Sequence, residues 1–134
     1  MVSVSAGLLV IRVVLGLLFA AHGAQKLLGW FEGPGLKGTA GWLQSMGVRP
    51  AMLMAIAAAG GEFAGGLLFA LGLFTWFAAI LIVVPMIVAI AKVHGTNGLW
   101  ATKNGYEYNL VIIAIAVGVA FTGAGDYSLD HWLF

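Results

Sequence analysis

The sequence predicts an all-α, integral membrane four-helix bundle, and three observations carry that expectation. Of 134 residues, 62% are hydrophobic and only 8% charged, against about 25% charged in a soluble domain, whose surface must be solvated. Four apolar runs each approach the roughly 20 residues that a helix needs to cross a hydrocarbon layer about 30 Å thick. The segments between them are glycine-rich or very short, so residues 1–134 read as a single membrane domain. A net charge of +1, without any basic run, excludes nucleic acid as a partner. With no cysteine, the chain supplies no disulfide framework, thiolate nucleophile, iron-sulfur ligand or CxxC pair. Redox chemistry would have to come from a bound cofactor or a partner.

The first run, residues 4–28, is interrupted by Arg12, His22 and Lys26. It lacks the basic n-region of a signal peptide and reads as a retained helix. Residues 29–49 are glycine-rich but place Leu36, Trp42, Leu43 and Met46 at near-helical spacing, which predicts a short interfacial helix over 36–46 rather than a fifth crossing. The second crossing, 51–71, follows Pro50, where a missing backbone N–H is harmless. The third, 74–92, contains Pro85, expected to free a carbonyl one turn earlier and bend the helix. Only Gly72 and Leu73 separate these two, so they must form a tight antiparallel hairpin. The fourth covers 106–122. Before it lies the loop 93–105, and Trp100, Tyr106 and Tyr108 suit an aromatic belt. The tail after Gly123, with Asp126, Asp130, His131, Trp132 and Phe134, is expected at the interface too, and no internal repeat is visible.

Lys26, Lys37, Arg49, Lys92 and Lys103 all lie in or beside the loops 29–49 and 93–105. The positive-inside rule then puts those loops in the cytoplasm and both termini outside, in a multi-pass membrane protein. Lys26 and Lys92 bear on this less if they are held inside the bundle.

Ionisable residues within apolar runs are where chemistry is expected. A charge at mid-bilayer costs about 2.5–3.5 kcal/mol on insertion scales, so Arg12 and Glu62 need a reason. Counted from the ends nearest residues 29–49, they differ in depth by only about 5 Å at 1.5 Å per residue, which predicts that they pair. Small residues agree: Arg12, Gly16, Ala20 and Ala24 recur at four-residue steps, as do Ala58, Glu62, Gly66 and Ala70, beside Ala57, Gly61 and Gly65. Such stripes let two membrane helices approach closely. The pair reads either as part of a site or as a buried bridge that fixes helix register.

His22 and Lys26 share a helix face, Lys92 and His94 close the third crossing, and Glu107 and Asn109 open the fourth. Antiparallel helices put all six at one membrane end, as a polar funnel above Arg12 and Glu62. Each has a plainer role as well: Lys26 and Lys92 as snorkelling side chains, Glu107 as a helix cap three residues after Asn104. Haem is disfavoured because His22 and His94 sit near the rim. His22, His94 and Glu107 are acceptable metal ligands, but their spacing is not diagnostic and no metal site is assigned. His131 reads as a solvated tail residue.

Two segments carry a resemblance. IRVVLGLLFAAHGAQKLLG (11–29) and AAGGEFAGGLLFALGLFTWFAAIL (58–81) resemble the signature segments of the DoxX family of bacterial membrane proteins. The first matches at Arg12, Gly16, His22, Gly23 and Lys26, the second at Gly61, Glu62, Gly65, Gly66, Gly72 and Leu73. The resemblance implies a four-helix membrane protein similar to the small membrane subunit of thiosulfate:quinone oxidoreductase, but brings no settled catalytic residue.

The expected function is therefore that of a small membrane subunit of a quinone-linked oxidoreductase system. A lipophilic quinone would lie between the first two crossings, its head group near Arg12 and Glu62, and electrons would come from a partner protein or a soluble substrate. No flavin, haem or nucleotide motif is visible. The alternative is a non-catalytic membrane protein that binds lipid or a small molecule, or scaffolds a partner. A small transporter would require an oligomer, because four helices alone form a narrow bundle.

Overall fold

Long apolar runs become long helices because backbone N–H and C=O groups facing hydrocarbon must be satisfied within their own segment. The computed structural model, which describes residues 2–134, is all-α among those residues. Its helices are α1 (Val2–Leu28), α2 (Gly35–Ser45), α3 (Ala51–Leu71), α4 (Thr75–Ala89), α5 (Glu107–Thr122) and α6 (Leu129–Leu133). A π turn, Ile90–His94, continues α4. Three stretches are long and apolar enough to cross a membrane: Ser3–Leu28, Ala51–Leu71 and Thr75–Asn97. At 16 residues, α5 spans about 24 Å and falls short of a full hydrocarbon layer. Val10, Ile11, Val14, Leu17 and Leu18 of α1 all face outward, a surface suited to lipid rather than water.

Gly72 makes the expected hairpin. It adopts a left-handed conformation, φ 67°, and its N–H and that of Leu73 donate to Phe69 O at 3.1 Å and Leu68 O at 2.9 Å. This is a Schellman ending, which satisfies carbonyls that α3 would otherwise leave open. α3 then packs on α4, α4 on α5, and α1 on α3, with α2 folded back against α1 and α3. Neighbours are antiparallel: Trp76 meets Phe121 at 6.1 Å between ring centroids, and Met86 meets Asn109 near the opposite end. A core of Phe19, Phe69, Ile82, Met86 and Val119, closed by Ala78, Ala79, Ala116 and Ala120, lies between them.

The α1–α3 seam sets the register. A Cβ on Gly16 would come within 2.5 Å of Gly66 O and 2.6 Å of Ala70 N, and one on Gly23 would meet the backbone of Phe63 and Ala59. The small-residue stripes do bring two backbones together. Their members divide, however: Gly65 accommodates Leu81 of α4, and Ala57 is exposed.

α6 has no counterpart in the sequence reading. The segment after Gly123 straps across one end of the helices: Asp126 N–H donates to Ser5 Oγ at 3.1 Å, and Asp130 N–H to Gly72 O at 2.8 Å. Asp130 also caps α4 from a distance, accepting from Phe74 N–H at 2.7 Å, Thr75 N–H at 3.0 Å and the Thr75 hydroxyl. Phe74, left-handed at the helix start, offers no side-chain cap of its own.

Candidate functional site

The seam places the charges differently from the sequence expectation. Gly16 lies against Gly66 and Ala70, and Gly23 against Ala59 and Phe63, so Glu62 is level with His22, and Arg12 with Gly72. Gly72 is ten residues beyond Glu62 on α3, or about 15 Å at 1.5 Å per residue. Arg12 and Glu62 therefore do not pair. Counting from helix ends assumed that those ends are level, but by the same register Leu28 faces the interior of α3, more than a turn past Ala51.

Arg12 instead ties down the C-terminal strap. It is fully buried, and its guanidinium donates to Tyr127 O at 2.6 Å and Ala70 O at 3.4 Å. A Cβ at Gly72 would strike it, so glycine there serves both the turn and the arginine. Burial alone would raise the Asp130 carboxyl, but hydrogen bonds from Thr75 and Phe74 and the charge of Arg12 outweigh it and hold the group below the usual carboxylate range. A depressed native pKa adds stability above the unfolded carboxylate value, near 4, that is lost as pH falls through the native one. Acidification into that range is thus expected to loosen the strap. Unfolding monitored against pH should show an acid-side loss in the wild type that is reduced in Asp130→Asn.

Glu62 meets Lys26. Lys26 Nζ donates to Glu62 Oε1 at 2.7 Å, with side chains 33% and 4% exposed respectively. A buried carboxylate in an apolar helix is retained only when a cation compensates its lost hydration. Lys26 sits two residues before the end of α1 and turns inward to supply the charge. The carboxylate is only half satisfied, because Oε2 is buried without a hydrogen-bond partner among the described residues. Gly65 packing on Leu81 sets the α3–α4 register and puts Met86 within about 3 Å of the level of Glu62. The buried Asn109 amide donates to Met86 Sδ at 3.4 Å. One layer thus holds a half-buried ion pair, its carboxylate buried, and a buried amide.

The other expected site residues do not join it. His22 and Lys92 are exposed. His94 Nδ1 and Asn97 Nδ2 both meet Asn104 O, at 2.8 and 2.9 Å, and Glu107 accepts from Ala101 N–H at 3.0 Å instead of capping α5 beside Asn104. These contacts shape the turn 95–106, and the six-residue funnel is not assembled. No cluster of three or more His, Cys, Asp or Glu suited to a metal exists among the described residues. Sequence reasoning missed the Arg12–Tyr127–Asp130 network. The partners there are mostly backbone atoms, which no residue pattern announces.

Comparison with known proteins agrees with the resemblance of the two signature segments. Residues 7–95, which include most of α1, all of α3 and α4, and both Lys26 and Glu62, match the family model described as DoxX. A Bacillus subtilis (strain 168) protein named "Putative oxidoreductase CatD" is 31% identical over 128 residues, covering 96% of this chain and 87% of that protein. No solved structure matches the chain.

Proposed function

The chain belongs to the DoxX family, and from that premise we propose that it is a small membrane subunit of a quinone-linked oxidoreductase system, with Lys26 and Glu62 at the polar end of a quinone site. The single observation that carries the reading is Glu62. It is 3% exposed within a helix able to cross the membrane, and one of its oxygens has no hydrogen-bond partner among the described residues. A quinone needs hydrogen-bonding groups at its head and apolar surface along its tail. Lys26 supplies ammonium protons, Glu62 an acceptor, and the surrounding helices the apolar surface. Bound there, a quinone supplies two-electron, two-proton capacity inside the membrane. The Bacillus relative's name, an oxidoreductase, is in keeping with this, and the electrons would come from a partner protein or a soluble substrate.

In this reading α5 completes a four-helix bundle in the bacterial inner membrane. By the positive-inside rule this reading has the loops 29–49 and 93–105 in the cytoplasm and both termini outside. The Lys26–Glu62 pair then lies toward the cytoplasmic face.

The test is to purify the full chain in lipid nanodiscs and identify bound small molecules by mass spectrometry. Replacing one partner alone would strand a buried charge, whereas replacing both by apolar residues of similar volume leaves none. The double variant Lys26→Met, Glu62→Met is thus expected to fold and to lose a stoichiometric quinone that the wild type carries. Equal quinone in both would remove the pair from the site.

A second reading, a non-catalytic protein that binds lipid or another small hydrophobic molecule, draws on a groove of about 260 Å³ between α4 and α5. It is lined by Trp76, Ile80, Val83, Val84, Val117 and Phe121, with no polar surface. A wild-type protein carrying only bulk lipid would favour it.

A further inference from the structure

Glu62 Oε1 already takes the Lys26 ammonium at 2.7 Å, and Oε2 is buried with no partner among the described residues. Opposed to an ammonium, the group is a carboxylate, which accepts hydrogen bonds and donates none. What it lacks is a donor. Among the described residues no side chain donates to it: Ala58, Ala59, Gly65 and Gly66 lie at helical spacing on α3, the facing stretch of α1 presents Ala20, Gly23 and Ala24, and the Asn109 amide of the same layer donates to Met86 Sδ instead. His22, at the same level, is exposed rather than buried. A buried acceptor of this kind costs stability unless something donates to it.

This argument rests on the quinone reading above and deepens it. The two redox forms of a quinone differ at the atoms that would meet this site. The oxidised form presents carbonyl oxygens, which only accept, while the reduced form presents hydroxyls, which donate. We propose that Glu62 Oε2 receives a ligand hydroxyl, so that the Lys26–Glu62 site binds the hydroquinone in preference to the quinone. Lys26 does not discriminate, because its remaining ammonium protons can serve the oxygen of either form. Glu62 does, since a carbonyl set against its free oxygen would bring two acceptors together.

The test is anaerobic calorimetric titration of the full chain in nanodiscs with a decyl-substituted benzoquinone and, separately, with its hydroquinone, each corrected for empty nanodiscs. Wild-type protein is expected to bind the hydroquinone roughly tenfold more tightly or better, as a hydrogen bond to a charged acceptor warrants. Glu62→Gln, whose amide donates as well as accepts, should lose that preference, whereas Glu62→Asp, which keeps the charge, should retain its direction. Equal affinity of the wild type for both forms, or a preference that survives in folded Glu62→Gln, overturns the role of Oε2 and leaves the quinone site standing. Saturable binding of neither form overturns both. Should Glu62→Gln fail to fold, the wild-type preference and Glu62→Asp still decide the question.

Discussion

Arg12→Ala is expected to release the C-terminal strap and to cost about 3–5 kcal/mol of stability, the range for removing one member of a buried charged network. The side chain is fully buried and bonds Tyr127 O and Ala70 O. Its truncation leaves both carbonyls unmet, empties the volume beside Gly72, and strips Asp130 of the charge that steadies it. The start of α4 should suffer in turn, because Asp130 caps Phe74 and Thr75. Arg12→Lys keeps the charge but has neither the fork geometry nor the reach to serve two carbonyls, so it should recover only part of the loss. Thermal unfolding in nanodiscs, with limited proteolysis after Gly123, measures both effects. Wild-type stability in Arg12→Ala, with the strap still protected, would refute the anchoring role. Because Arg12 is remote from Lys26 and Glu62, quinone bound per folded molecule should be unchanged in Arg12→Lys.

Gly66→Leu should be at least as damaging, through steric overlap. Even a Cβ at this position would meet Gly16 O at 2.5 Å and Ala20 Cα at 2.8 Å, and these are backbone atoms that cannot rotate away. Overpacking costs about 1–3 kcal/mol where side chains can yield, so a clash with backbone along the main seam should exceed that range and part α1 from α3. The Lys26–Glu62 bridge, which spans the same two helices, should break with it. Gly118→Ala is the matched control: nothing lies within 4 Å of its added Cβ, and the change from glycine within a helix should be neutral or stabilise by up to about 1 kcal/mol. Comparable unfolding temperatures for the two variants would show that close approach at Gly66 does not hold the seam.

Much of the architecture was legible in one dimension. Hydropathy and length locate the apolar helices almost to the residue, because a helix in lipid must be both apolar and long. Pro50 and Gly72 bound α3 where their backbone chemistry requires, and the spacing of Leu36, Trp42 and Leu43 locates α2, Gly35–Ser45, to within a residue. Roles that depend on partners far away in sequence were less accessible. Glu107 and His94 looked like funnel residues, yet each spends its polar atoms on a nearby backbone group. The strap was read only as an interfacial tail, since its partners Ser5, Arg12 and Thr75 lie more than fifty residues upstream.

The sequence by itself determined that the chain is helical and apolar, which residues could carry charge inside it, and that small residues, Gly16 and Gly66 among them, let α1 and α3 meet. Only the tertiary structure decided which charges pair. Composition sets the cost of burying Arg12 and Glu62, but partnership depends on the axial offset between two helices, and the packing of Gly16 and Gly23 against α3 sets that offset. The resulting separation of about 15 Å between the levels of Arg12 and Glu62 gives Glu62 to Lys26 and Arg12 to the backbone of the C-terminal strap. The candidate site therefore lies toward the end that carries the loops 29–49 and 93–105, because steric register rather than charge chooses the neighbours.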